Sequence, residues 1–167
     1  YGVRALGNYS ISIGNGNFGF NLPSNKGLAN GDYSVAFGTS NVAGGIESYA
    51  IGNYGVSSAS SSFAFGNTNT ASGSYSFAIG NQNTASAGYS FAIGNNTTST
   101  GQYATAMGRY TTAQAYNSFV VGRYNVIEGT TSSWNGYEPL FVVGNGSSTS
   151  DRRNAFTVRQ DGLTEAG

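Results

Sequence analysis

The chain has 167 residues, enough for one ordinary domain, and its formal net charge is zero with only 8% charged residues. It contains no cysteine and no histidine, which excludes disulfides and nucleophilic catalysis through a His or Cys base. Between Tyr33 and Gly108 the only charged side chain is Glu47. This stretch therefore has no basic residues that could attract nucleic acid or an anionic membrane.

The N-terminal segment, residues 1–32, is predicted to hold one coil of a repeat and a capping insertion. YSISIG, from Tyr9 to Gly14, has the form of the later repeats, but the next matching glycine is Gly38, one period plus ten residues further on. The inserted residues include the sequence NFGFNLPSNKG. Terminal repeats are usually atypical because they cover exposed edges.

Residues 33–128 repeat every fourteen residues. The pentads that end on the recurring glycine read SVAFG, SYAIG, SFAFG, SFAIG, SFAIG, ATAMG and SFVVG, and the glycines are Gly38, Gly52, Gly66, Gly80, Gly94, Gly108 and Gly122. The aromatic and β-branched residues of each pentad favour a strand. A second short strand is predicted four to six residues after each glycine, as in Thr70-Ala71-Ser72, with Gly/Asn-rich turns between the two.

A coil of fourteen residues is too short for a strand, a helix and two loops, since a βαβ unit needs about 30 residues. The remaining solution is an all-β parallel solenoid, a β-roll, in which equivalent strands of successive coils stack about 4.8 Å apart.

Side-chain alternation along each strand predicts which residues lie inside the roll. Each of the two strands carries a column of small residues. In the same coil a larger residue replaces the small one in both columns, Val120 in the first strand and Ile127 in the second, so we expect these columns to face each other. The predicted interior contains Ala36, Ala50, Ala64, Ala78, Ala92 and Ala106 from the first strands, with Ala71, Ala85 and Ala113 from the second.

The large apolar residues must then point out of the roll, as a stripe larger than a soluble monomer normally exposes. Burying one such side chain contributes about 1.5–3 kcal/mol, so the stripe predicts self-association with closed cyclic symmetry. The alternative is a wider monomeric roll with the Phe and Ile side chains inside and alanine outside. The predicted interface residues are Phe37, Ile51, Phe63, Phe65, Phe77, Ile79, Phe91, Ile93, Met107, Phe119 and Val121.

The C-terminal segment, residues 129–167, is predicted to be an insertion loop and a capping or transition element. Gly144 lies 22 positions after Gly122, which is one period plus eight residues. Charged residues are concentrated in this segment. Capping explains the insertion, while the alternative makes Trp134 and Tyr137 part of a binding loop.

The pentads resemble the head repeats of trimeric autotransporter adhesins, the YadA-like family, whose motif reads close to S-V-A-I-G. The resemblance covers Tyr33 to about Glu128, with Phe in this chain where Val is usual. It implies a tight, left-handed parallel β-roll, side-by-side association as a homotrimer, display on a bacterial surface, and binding to host matrix, cells or other surfaces. The text from Leu140 to Gly162 is similar to elements that close β-rolls in bacterial adhesins and in phage tail fibres.

No catalytic, metal or cofactor site is predicted. A carboxylate pair at Asp151 and Asp161 is conceivable, but their spacing suggests no shared cleft, and Asp161-Gly162 is a standard turn dipeptide. The glycine-rich segments of the sequence match neither a phosphate-binding loop nor a calcium-binding repeat.

Several exposed columns are candidates for ligand binding. The asparagines after the glycine, such as Asn67 and Asn81, are either a turn ladder or a ligand contact. The threonine column is either a solubilising ladder or a receptor-binding or ice-binding face, and surface tyrosines can stack on sugars or peptides. The candidate ligand surface comprises Thr70, Thr84, Thr98, Thr112, Tyr110, Tyr124 and Trp134.

The sequence therefore predicts a non-enzymatic attachment head that displays its surface to a host or target receptor, a matrix protein or a glycan. It predicts no nucleic-acid partner and no membrane insertion by this segment. The alternatives are a segment of a phage or injection-device tail fibre and a spacer that binds nothing.

Overall fold

The computed structural model describes residues 4–15 and 28–167, and these residues form strands and turns without a helix. The predicted NFGFNLPSNKG insertion lies outside the described residues. In chain order the strands are β1 (Arg4–Ala5), β2 (Ile11–Asn15), β3 (Leu28–Ala29), β4 (Val35–Thr39), β5 (Val42–Ala43), β6 (Tyr49–Asn53), β7 (Val56–Ser57), β8 (Phe63–Asn67), β9 (Thr70–Ala71), β10 (Phe77–Asn81), β11 (Thr84–Ala85), β12 (Phe91–Asn95), β13 (Thr98–Ser99), β14 (Thr105–Arg109), β15 (Thr112–Ala113), β16 (Phe119–Arg123), β17 (Pro139–Asn145), β18 (Asn154–Arg159) and β19 (Thr164–Ala166).

Each coil supplies one strand to each of two sheets. The two-residue strands form one sheet in the order β1-β3-β5-β7-β9-β11-β13-β15. The longer strands form the other, in the order β2-β4-β6-β8-β10-β12-β14-β16-β17-β18-β19. From β1 to β17 neighbouring strands are parallel and pair equivalent residues of successive coils, as Phe77 with Phe91 and Gly80 with Gly94. The predicted parallel solenoid with fourteen-residue coils is confirmed, with about seven turns.

Small side chains fill the space between the two sheets. The alanines predicted for the interior are 0% exposed except for Ala36 at 3%. They form contiguous clusters, one of which runs through Ala64, Ala71, Ala78, Ala85 and Ala92. The two sheets of a coil this short leave room for little more than methyl groups, so the large residues lie on the outer surface, unlike in the wider-roll alternative.

The recurring glycine is required by the close stacking of coils. Gly80 has φ +120°, and a Cβ atom there would lie 2.2 Å from the carbonyl oxygen of Gly94. Two other positions in each coil also adopt positive φ without being glycine, for example Tyr75 at 58° and Gln82 at 56°. These left-handed residues turn the chain between its two strands.

A short antiparallel meander ends the parallel stack. Strand β17 pairs in parallel with β16, with Gly122 opposite Gly144, and β18 and β19 then follow in antiparallel order. The short-strand sheet ends one coil earlier, at β15. The expectation that Ile127 continues the interior column is therefore wrong: Ile127 lies outside any strand and is 39% exposed.

Two ion pairs lie on the surface of the C-terminal segment, one within the loop before β18 and one between β18 and β19. Arg153 contacts Asp151 at 2.7 Å and Arg159 contacts Glu165 at 2.9 Å. Hydrogen bonds from Arg153, then from Ser147, hold the pKa of Asp151 well below its ordinary value. Folding lowers the pKa of Asp151, so the ionised carboxylate stabilises the folded chain. This stabilisation is fully present above pH about 4 and is lost progressively as the pH falls below that value.

Candidate binding surfaces

The apolar stripe predicted from the repeats lies along the outer face of the long-strand sheet. Its exposed members are Phe37 at 51%, Phe65 at 46%, Phe119 at 39% and Met107 at 37%. The others are partly exposed, namely Ile51, Phe63, Phe77, Ile79, Phe91, Ile93 and Val121. A continuous apolar row of this kind marks a surface that another molecule covers.

Aromatic stacking along the coils orders part of the stripe. The Phe77 and Phe91 rings are parallel within 1°, with centroids 4.9 Å apart, and Phe63 lies 5.7 Å from Phe77. Because the rings already contact their neighbours one coil away, the stripe is held in place before any partner binds.

The candidate threonine ladder lies on the opposite sheet. Thr70, Thr84, Thr98 and Thr112 pair in register with one another, and each is half-buried. Their alternate neighbours are the buried Ala71, Ala85, Ser99 and Ala113.

The two candidate tyrosines pack together at the C-terminal end of the roll. The Tyr110 and Tyr124 rings are stacked at 4.8 Å, and the Arg152 guanidinium lies 6.0 Å from the Tyr124 ring. Arg152 also donates to the carbonyl oxygens of Tyr110 and Asn125. Tyr124 is only 9% exposed, so this cluster chiefly attaches the closing segment to the last coils.

The aromatic residues of the C-terminal insertion are exposed. Trp134 is 53% and Tyr137 is 80% accessible. The loop is fixed by Glu138, which accepts hydrogen bonds from the Thr130 amide at 2.8 Å and from the Asn135 side chain at 3.3 Å. Both the capping and the binding interpretations of this loop therefore remain predictions.

The two aspartates considered as a carboxylate pair have separate local roles. Asp161 accepts from the Leu163 amide in a turn, whereas Asp151 pairs with Arg153. Within residues 4–15 and 28–167, no three His, Cys, Asp or Glu side chains come together as a metal site. The same residues include no helix with the length and apolar character needed to cross a bilayer.

A buried asparagine ladder is the main feature that the sequence analysis missed. Asn83 donates from Nδ2 to the carbonyl oxygens of Ile79 and Gly94, both at 2.8 Å. Its Oδ1 accepts from the Thr97 amide and hydroxyl. The equivalent positions are Asn41, Gly55, Asn69, Asn83, Thr97, Thr111 and Asn125, and their fourteen-residue spacing was the available signal.

Replacing Asn83 with threonine is expected to lower the free energy of unfolding by about 1–3 kcal/mol, because one hydroxyl cannot donate to both carbonyls. Threonine is otherwise compatible with this column, as Thr97 shows. The matched control is Asn67→Thr, since the Asn67 side chain bonds to Asn81 in solvent. Thermal unfolding should show a loss for Asn83→Thr alone, and equal losses would contradict the assigned role.

The geometry defines the class of protein as a parallel β-solenoid of short coils that carries an apolar stripe on one face. A model of the YadA head domain repeat matches residues 29–54, 57–83, 71–97 and 99–125. The matches cover more than half of the chain, which therefore belongs to the YadA head repeat family, as the pentads indicated. A search of curated proteins gave no match.

Proposed function

We propose that this chain is a rigid, non-enzymatic head segment of a trimeric extracellular attachment fibre, displayed on a bacterial surface. Three copies associate side by side through the apolar stripe, each as a left-handed roll. The observation that carries this proposal is the long row of exposed and partly exposed Phe, Ile, Met and Val side chains on a chain whose interior is mainly alanine. Membership of the YadA head family supports the adhesin-type role.

The attachment mechanism is display. Parallel strand ladders give a stiff rod, and a trimer presents three copies of each surface, so that weak contacts multiply by avidity. The proposed surface for the host or target receptor, a matrix protein or a glycan, is the Thr/Ser face together with Tyr110 and Trp134. A tail-fibre segment is the second candidate, because the Leu140–Gly162 sequence is similar to elements that end the β-rolls of phage tail fibres.

Two measurements on the purified chain test this proposal. Light scattering should give three times the 17.2 kDa chain mass, and a matrix-protein and glycan array should give reproducible binding that weakens when the trimer is dissociated. A stable monomer in dilute solution would contradict the assembly. A trimer that binds nothing on the array would support the spacer alternative.

A further inference from the structure

Two different polar columns border the apolar stripe, one on each side. The first follows the recurring glycine, and we call it the amide rim: Asn53, Asn67, Asn81 and Asn95, continued by Arg109 and Arg123. The second lies two residues before each long strand, and we call it the tyrosine rim: Tyr9, Tyr33, Tyr75, Tyr89 and Tyr103. The tyrosine rim adjoins the stripe, because Tyr33 lines one surface depression together with Phe63 and Phe77. The amide rim shares the stripe's face, because side chains two residues apart on a strand point the same way.

The rings of the tyrosine rim cover one another's faces. Tyr75 and Tyr89 stack at 5.0 Å and 7°, and Tyr89 and Tyr103 stack at 5.1 Å and 15°. A sugar or another flat group therefore finds no free ring face between them. What the rim exposes is ring edges and hydroxyl groups, and within the described residues these three hydroxyls have no hydrogen-bond partner.

The turn that holds these tyrosines does not itself require tyrosine. Tyr75 and Tyr89 both have φ 58°, a conformation in which a bulky residue is uncommon. Other coils make the same turn with Glu47, Ser61 and Asn117 at φ 55°, 52° and 58°. The reason for tyrosine at this position therefore lies in its side chain, and stacking accounts for the rings but not for the hydroxyls.

The amide rim carries hydrogen-bond donors that the chain does not use. Asn53 Nδ2 donates to Asn67 Oδ1 at 3.2 Å, and Asn67 Nδ2 donates to Asn81 Oδ1 at 2.7 Å. Within the described residues, Asn81 Nδ2 and the Arg109 guanidinium have no hydrogen-bond acceptor. Phenolic hydroxyls accept hydrogen bonds and amide and guanidinium nitrogens donate them, so the two rims are chemically complementary.

Cyclic symmetry brings the two rims together. This step rests on the proposed function, because it takes three parallel rolls with their stripes facing a common axis. A three-fold interface is heterologous, so each patch on one copy contacts a different patch on the next. The tyrosine side of one stripe then meets the amide side of the next. Rotation without translation keeps equivalent coils at the same height, which places Tyr89 opposite the end of the strand that carries Asn95.

We propose that the tyrosine rim of one copy packs against the amide rim of the next, coil for coil. The hydroxyls accept hydrogen bonds from the unused amide and guanidinium donors, and the two rims close the edge of the apolar stripe to water. A second copy of this chain fits the tyrosine rim because its donors repeat at the same spacing of about 4.8 Å as the hydroxyls. Up to Asn95 the only charge on either rim is Glu47, so few charges lose water when the rims meet.

The test places one thiol on each rim of a chain that has no cysteine of its own. The double variant Tyr89→Cys with Asn95→Cys is treated with a short bis-maleimide and run on a denaturing gel. A covalent trimer is expected, because each copy then offers one thiol to each neighbour. A link within one chain leaves the single-chain mass, so the trimer band reports contacts between copies only.

Two kinds of control fix the pairing. Each single variant should stay at the 17.2 kDa chain mass, because like rims do not meet. Tyr89→Cys with Asn53→Cys should also stay there, because Asn53 is three coils from Asn95, about 14 Å along the roll. Ser61 and Thr39 show that both columns accept small side chains, so all of these variants should keep a strand-rich circular dichroism spectrum.

Light scattering on the same samples before linking separates this inference from the proposed function. A trimer mass without a covalent trimer would overturn the rim contact and leave the assembly standing. Linking in the Tyr89→Cys variant alone would show that like rims meet, as in an antiparallel pair, and would overturn it too. Equal linking with Asn53→Cys would overturn the coil-for-coil register. A single-chain mass without linking would overturn both the trimer and the rim contact.

Discussion

Replacing Gly80 with alanine is expected to destabilise the roll by about 3 kcal/mol or more. The new Cβ would stand 2.2 Å from the Gly94 carbonyl oxygen, at a φ of +120° that L-residues rarely adopt. The carbonyl belongs to the next coil, so relief of the clash requires two coils to separate and the Phe77–Phe91 contact to open. Thermal unfolding should show a midpoint lower by on the order of 10 °C.

The matched control is Gly88→Ala in the adjacent turn. A Cβ at Gly88 meets nothing closer than 3.8 Å, and its φ is not in the left-handed region. The same column holds Ser74 and Gln102 in the neighbouring coils, so this change should alter stability by less than about 0.5 kcal/mol. Equal midpoints for the two variants would contradict the stacking argument.

Replacing Ile79 and Ile93 together with aspartate is expected to dissociate the proposed trimer completely. Both side chains lie on the apolar stripe, one coil apart, and in the proposed trimer each copy would bring two carboxylates toward the axis. Burying unpaired charges costs several kcal/mol per ion. Light scattering should then report the mass of a single chain.

Thr84→Asp is the control for this pair, because Thr84 belongs to the opposite sheet and should leave the assembly intact. Ile79 and Ile93 are half-exposed in the single chain, so the double variant should retain a strand-rich circular dichroism spectrum. An unchanged trimer mass in both variants would show that the stripe is not the contact surface.

The solenoid could be predicted from the sequence because its signal is long-range and redundant. Glycine and a strand-forming pentad return at the same spacing through seven coils, and only stacked coils satisfy so short a period. The small columns ending at Ala106 and Ala113 predicted an alanine interior, and both residues are 0% exposed. The prediction failed at Ile127, where the chain leaves the roll for the C-terminal insertion and periodicity carries no information.

The asparagine ladder could not be reached by the same reasoning. The ladder depends on Asn83 reaching carbonyl oxygens of two different coils, which requires the distance between them.

The sequence by itself determined the coil length, the parallel stacking, the family and the division into small and large columns, because each is a consequence of strict periodicity. Only the tertiary structure decided where the stack ends, which tyrosines are buried and which polar groups bond between coils. These features arise from contacts between residues fourteen or more positions apart, whose geometry depends on side-chain orientation that periodicity does not specify.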